Sequence, residues 1–224
     1  MPRLSVIVPV YNEAGTIQAI IGKIQSLPLD KEIVVVDDGS SDDTGKLLRL
    51  MRQDGLKVIH HTTNRGKGAA VRTALSNATG ELVIIQDADL EYDPSDYLKL
   101  LDAFTASQAG LVLGARFTKG YHGMLIPRLG NRVMTRFLNL MFGANLNDFF
   151  TCYKLMRRQD LLDMGLISNS FTLDTEIVAK SLKKDLKIVE VAVSYNPRSY
   201  SQGKKIRIVD GVKAILSIIR YRFI

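Results

Sequence analysis

Five short apolar runs punctuate the first half of this sequence: LSVIVPV (4–10), EIVVVDD (32–38), LKVIHH (56–61), ELVIIQD (81–87) and GLVLGAR (110–116). They are rich in Val and Ile and nearly continuous in hydrophobicity, as strands buried on both faces are. Between them lie amphipathic segments at 13–27, 41–54, 67–78 and 94–106. Parallel strands need crossover connections, and helices of this length supply them. The alternation predicts an α/β chain with a Rossmann-like, mostly parallel twisted sheet and helices on both faces. Asn12 is placed to cap the first helix, Ser40 or Ser41 the second, and Asp93 the fourth, with Pro94 in its first turn.

Ligands of such sheets bind beyond the carboxyl ends of the strands. Polar clusters stand at three of those ends: Tyr11-Asn12-Glu13, Asp37-Asp38-Gly39-Ser40 and Asp87-Ala88-Asp89. The densest is IIQDADLEYDP (84–94), where Asp87, Asp89, Glu91 and Asp93 alternate along the chain. In an extended backbone these side chains share one side, repel, and raise one another's pKa. Carboxylates in Asp-x-Asp spacing are hard oxygen ligands suited to Mg²⁺ or Mn²⁺, which would relieve the repulsion. Asp93 is assigned to the helix start and left out of the metal set.

The second half changes character. A Gly-containing loop (117–126) precedes a helix expected from Pro127 to about Phe142. Arg128, Arg132 and Arg136 share one face of it, and Leu129, Val133, Phe137, Leu140 and Met141 are expected to pack on the other. CYKLMRR (152–158) and KIVEVAVSY (187–195) read as strands, 171–184 as a helix, and 205–224 as a basic amphipathic helix. No linker or repeat interrupts the chain, so 1–224 reads as one domain with halves at 1–116 and 117–224. The net charge is +7 and unevenly spread, with +5 over 103–147 and +6 over 191–224. Such separation suits an anionic ligand or surface. The final helix, with Lys213, Arg220 and Arg222 among apolar residues, suits an anionic bilayer surface. One cysteine excludes an internal disulfide. No stretch approaches the ~20 apolar residues of a membrane span. A cytoplasmic protein with peripheral membrane contact is expected. His60-His61 reads as structural and Cys152 as packed. Neither a P-loop nor a dinucleotide-binding glycine pattern is present.

In order and spacing, PVYNE (9–13), VDDGSSDDT (36–44), NRGKGAA (64–70) and QDADLEYDP (86–94) resemble family-two glycosyltransferases of GT-A fold. NDFFTCYKLMRR (147–158) and SYNPRSYSQGKKIRIVDG (194–211) resemble the dolichyl-phosphate mannose synthase and polyprenyl-phosphate sugar synthase branch. The resemblance implies a nucleotide-sugar donor, a divalent metal and a lipid-phosphate acceptor. It implies that Pro9, Tyr11, Glu13 and Asp38 frame the nucleotide, and that Lys67 with the following helix N-terminus meets the diphosphate. It further implies that Asp87 orients the donor beside Ala88, and that Asp89 with Glu91 binds metal. Relatives often carry Gln at the position of Glu91. The acceptor phosphate would fall to Arg116, Arg128 or Arg132, Arg198 and Lys205, with Lys204 adjacent. Arginine suits it by forked hydrogen bonding.

A phosphate acceptor needs no strong base, so the implied reaction is direct, inverting displacement of the nucleoside diphosphate from a hexose (GDP-mannose or UDP-glucose). The catalytic set is Asp87, Asp89 and Arg116. One alternative is the same fold with a hydroxyl acceptor, for which Asp174 and Glu176 are the candidate bases. They read more simply as acids at a helix start. A second alternative is a non-enzymatic basic protein binding nucleic acid or membrane. The acidic strand ends argue against nucleic acid.

Overall fold

β1 (Leu4–Val10) is buried along its whole length, between β2 (Lys31–Asp37) and β4 (Leu82–Ile85). This is a computed structural model, and it describes residues 3–51, 53–117, 125–198 and 208–224. β3 (Leu56–His60) extends the sheet beyond β2. On the other side come β6 (Lys154–Arg157), β5 (Leu111–Ala115) and β7 (Ile188–Ala192). The seven strands run in the order β3-β2-β1-β4-β6-β5-β7. All pairings are parallel except those of β6, which runs antiparallel to both neighbours. β6 comes from the second half of the chain yet sits between two strands of the first, so one sheet binds both halves.

Helices α1 (Ile17–Gln25), α2 (Thr44–Leu50), α3 (Lys67–Asn77) and α4 (Tyr97–Ser107) cross over between the early strands. α3 packs on β1 and β2, and its buried small residues Ala70 and Ala74 permit close approach. α4 packs on β5, β6 and β7. α5 (Leu125–Phe142), α7 (Thr172–Lys183) and α8 (Ile208–Phe223) form a separate helical group, with α6 (Arg158–Asp163) continuing β6. Each fully buried Ile or Leu of the sheet contributes about 1.5–3 kcal/mol of transfer free energy.

Three local expectations need correction. Asn12 does not cap α1, which starts at Ile17. Its backbone is left-handed (φ 51°), and its side-chain oxygen accepts from Ser41 N at 2.8 Å. It staples the β1–α1 loop to the β2–α2 loop. Ser40 and Ser41 do not cap α2 either, because Asn12 uses their hydroxyls and Asp43 holds the N-cap position. On α5, Leu129, Val133 and Leu140 do not pack inward; they are 64, 56 and 80% exposed. Phe137 and Met141 do pack on the core as expected, and the most deeply buried positions of the helix are Asn131, Thr135 and Leu138. Asn131 turns inward because a buried ion pair receives it, and Asn139 because it bonds the Leu146 backbone through both its carbonyl and its amide. Asp93 behaves as expected, accepting from Ser95 N at the 3-10 turn Pro94–Asp96 that leads into α4.

Candidate active site

β1 and β2 end level, Val10 beside Asp37, and the chain leaving β4 passes over that edge as Gln86 to Glu91. Four carboxylates meet there, and two cations meet them. Lys67 Nζ lies 2.8 and 3.0 Å from the Asp87 oxygens. Arg198 forks onto Glu13, both bonds at 3.0 Å, and its Nη2 is 3.2 Å from Asp89 Oδ2. Glu91 accepts from Tyr195 Oη and from Arg198 N, each at 2.8 Å. Glu13, Asp87, Asp89 and Glu91 against Lys67 and Arg198 leave a formal −2.

That residue of charge appears on Asp89. Burial, then the neighbouring Asp87 and Glu91, push its carboxyl up to about 7, and Arg198 only partly offsets them. Asp87 goes the other way: burial opposes its charge, but adjacent Lys67 wins and holds it below the usual range. Lys67 is raised well above its own range, against burial, by the same contact. The donor set is oxygen-only and short of two positive charges, which fits one divalent cation. Asp89 and Glu91 are the residues that would hold it. Among the described residues no three His, Cys, Asp or Glu side chains already converge as a metal cage. A cation completing its coordination with a diphosphate does not need one.

An aromatic ladder supports this edge. Tyr97, Tyr153, Tyr92 and Tyr195 follow one another with ring centroids 5.5, 4.6 and 5.1 Å apart. The hydroxyls of Tyr97 and Tyr153 both donate to Gln86 Oε1, while Gln86 Nε2 donates to the Asp87 carbonyl. The Arg116 guanidinium stacks over the Tyr195 ring at 5.3 Å. Arg116 is itself held by buried Asp148, through Nε and Nη2 at 2.8 Å each, with Asn131 bracing both. Sequence reasoning missed Gln86, Asn131, Asp148 and the tyrosines. Nothing in the spacing of NDFF or of the lone tyrosines marks them, since their partners are distant in sequence.

Other expected site residues fall as follows. Pro9 and Ala88 are buried at the edge, and Tyr11 is half-buried beside them. Asp38 is buried and saturated: His61 Nδ1 lies at 2.6 Å, and Arg65 N and Gly66 N donate to it at 3.0 and 2.7 Å. It builds the 61–66 turn, with His61 bridging on to Thr73 Oγ1 and His60 Nδ1 lying 3.0 Å from Asp37, so these histidines are structural. The N-terminus of α3 is not open to a diphosphate. Gly68 N donates to Asn169 O at 2.9 Å, and a Cβ on Gly66 would lie 2.2 Å from that same oxygen. The glycines admit the 168–170 backbone. Arg132 and Arg136 are exposed on α5. Arg128 lies one turn before Asn131, on the side that meets Arg116. Lys204 and Lys205 lie outside the described residues.

The candidate bases are committed elsewhere. Asp174, in the first turn of α7, pairs with fully buried Lys154 at 2.7 Å. Glu176 accepts from Ile167 N and Ser168 N and pairs with Lys180 at 2.6 Å. Cys152 is buried, with its thiol pushed up by burial.

The family model of glycosyl transferase family 2 matches residues 5–165, which takes in β1 through β6 and the whole acidic edge. The chain belongs to glycosyl transferase family 2. Its place there makes it an enzyme and sets aside the non-enzymatic reading. It is 31% identical to glycosyltransferase AglJ of Haloferax volcanii over 86% of this chain, and spans 63% of that relative's length. It is 29% identical to the polyprenol monophosphomannose synthase of Mycolicibacterium smegmatis, over 90% of this chain and 80% of that protein. A solved structure of glucosyl-3-phosphoglycerate synthase from Mycobacterium tuberculosis, in complex with Mn²⁺, UDP and glucosyl-3-phosphoglycerate, covers 100% of this chain and 81% of its own. That likeness has a TM-score of 0.71 at 19% identity, and it establishes the GT-A fold.

Proposed function

We propose that this family-2 enzyme moves a hexose from a nucleotide sugar, GDP-mannose or UDP-glucose, onto a polyprenyl or dolichyl phosphate at the cytoplasmic face of a membrane. The observation that carries the proposal is Tyr195. Its hydroxyl holds Glu91 of the carboxylate edge, and its ring lies under Arg116. In this reading the site for a cation-bridged donor and the site for an anionic acceptor would share one side chain. The printed name of the mycobacterial relative, a polyprenol monophosphomannose synthase, supports the same reading.

In this mechanism Asp89 and Glu91 are the residues that would hold Mg²⁺ or Mn²⁺, which when bound would stabilise the leaving diphosphate. Lys67 keeps Asp87 ionised, and Gln86 fixes its backbone, so that Asp87 can accept hydrogen bonds from the donor. Pro9, Tyr11 and Glu13 line the nucleotide side. Arg116, pre-oriented by Asp148 and Asn131, holds the acceptor phosphate with Arg198, Lys205 and Arg128. Arg128 is half-buried where Arg132 is exposed, which favours Arg128. One acceptor oxygen attacks the anomeric carbon as the bond to the diphosphate breaks, and the configuration inverts. No proton moves, which agrees with the burial and pairing of Asp174 and Glu176. Positioning and charge supply most of the rate.

The lipid-facing surface in this reading is formed by α5 and α8. Of twelve exposed large apolar side chains among the described residues, nine belong to α5, α8 or the residue after α8. Arg132, Arg136, Lys213, Arg220 and Arg222 lie exposed among them. This mixture suits insertion into an anionic headgroup layer. Among the described residues no helix is long and apolar enough to cross a membrane.

The test is transfer itself. Labelled GDP-mannose, UDP-glucose and UDP-N-acetylglucosamine are incubated separately with undecaprenyl and dolichyl phosphate in detergent. A lipid-linked sugar with inverted configuration is expected from one donor. Transfer to a glycan or small alcohol, with no lipid-linked product from any donor, overturns the proposal.

A further inference from the structure

Arg198 stands where a metal ion would be expected to work. Its guanidinium bridges Glu13 and Asp89, and its main-chain N–H is held by Glu91. Three of the four acidic edge residues are therefore tied by one residue, from a segment that the family resemblance assigns to the acceptor. The fit is imperfect. Arg198 Nε is buried without a hydrogen-bond partner among the described residues. A buried donor left unpaired is destabilising, the more so when it is charged. The single contact to Asp89, at 3.2 Å, is longer than the usual charge-assisted bond of about 2.7–2.9 Å. The guanidinium also leaves the edge at −2. It is a counter-ion that satisfies Glu13 fully and Asp89 poorly.

We propose that Arg198 is a displaceable internal cation at Asp89: guanidinium and divalent metal exclude one another there, so metal binding releases Arg198 to receive the acceptor phosphate. This rests on the metal reading given above for Asp89 and Glu91. The guanidinium lies on Asp89 Oδ2, and a divalent cation on the same carboxylate would meet its positive charge at short range in a partly buried site, where the two repel. Engagement of Glu91 by a metal also removes the acceptor of the Arg198 N–H, which loosens the same segment. Donor loading thereby precedes acceptor capture, and an arginine neutralised at rest becomes a phosphate receptor when the donor side is complete. By linkage, an anion drawn to Arg198 tightens metal binding by the same factor.

The probe is Mn²⁺ alone, titrated into the full chain and followed by the electron paramagnetic resonance of free Mn²⁺. Wild type, Arg198→Ala, Arg198→Gln and Asp89→Ala are compared. Loss of the competing cation is expected to tighten Mn²⁺ at least about fivefold in both Arg198 variants, while Asp89→Ala abolishes binding. A second readout needs no substitution. Saturating Mn²⁺ should speed hydrogen exchange of the Arg198 amide, now held by Glu91, and of the Asn196 amide, now held by the Glu91 carbonyl. Asp89-dependent Mn²⁺ binding that is equal or weaker in the Arg198 variants, or unchanged or slower exchange at Arg198, overturns the displacement and leaves the metal assignment standing. Mn²⁺ binding indifferent to Asp89 overturns both.

Discussion

The carboxylate edge and the α5/α8 face both carry charge, but they treat it in opposite ways. At the edge each cation is spoken for: Lys67 by Asp87, Arg198 by Glu13 and Asp89, Arg116 by Asp148. On the outer helices Arg132, Arg136, Lys213, Arg220 and Arg222 lie exposed beside exposed Leu129, Val133, Leu216 and Phe223. The difference separates two tasks. Paired, half-buried charge fixes geometry to a fraction of an ångström and serves chemistry. Exposed charge mixed with apolar side chains fixes no geometry and, in the function proposed above, serves a fluid lipid surface.

The largest effect should separate the two regions by activity. Asp89→Ala is expected to lower turnover by roughly 10²–10³-fold or more with the circular dichroism unchanged. Near-normal turnover in that variant would break the assignment of chemistry to the edge. The next should separate them by stability. Arg116→Ala strands buried Asp148 and is expected to destabilise the fold by about 3–5 kcal/mol, alongside a larger rise in KM for lipid phosphate than for donor. Arg136→Ala on the outer face should stay within about 0.5 kcal/mol. Equal losses in denaturant titrations would erase the contrast.

A third comparison concerns membranes. Leu216→Asp with Phe223→Asp should weaken cosedimentation with anionic vesicles by at least about tenfold and leave nucleotide affinity unchanged. Unaltered vesicle binding would assign lipid capture elsewhere. The smallest effect concerns pH. Asp89 is pushed up to about 7 in the metal-free fold, while an unfolded Asp titrates near ~3.9. Between these values the folded state binds the extra proton, so stability falls as pH rises through the window. Asp89→Asn should therefore raise Tm by a few degrees at pH 8 and hardly at all at pH 4. A gain of equal size at both would show that the charge is not the cause.

Much of this was legible in the sequence, for identifiable reasons. The strands were visible because burial on both faces leaves an unbroken Val/Ile run, as in Ile33 to Val36. The acidic edge was visible because a strand end brings sequence neighbours together. The pairing of that edge was not visible. Arg198 reaches Glu13 across 185 positions, and Tyr195 reaches Glu91 across 104. On α5 apolar character marks the inward face only in part: Phe137 and Met141 pack on the core, but polar residues are buried beside them. There a buried Asn131 is satisfied by Arg116 and Asp148, while Leu129 and Leu140 look outward. The sequence assigns Lys67 and the α3 N-terminus to the donor, whereas in the fold they meet Asp87 and Asn169, which come from elsewhere in the chain. The position of β6, between β4 and β5, was also hidden. It implies that a fragment ending at residue 116 should not fold alone, because β5 would lose its link to the sheet.

The central claim is that a divalent cation at Asp89 ties the protein to a nucleotide diphosphate. Crystals soaked with Mn²⁺ and either GDP or UDP, with diffraction recorded at the manganese edge, test it most directly. The account expects one anomalous peak within bonding distance of an Asp89 oxygen and of a diphosphate oxygen. A bound nucleotide with no manganese at Asp89, or a nucleotide lying away from this edge, would contradict it.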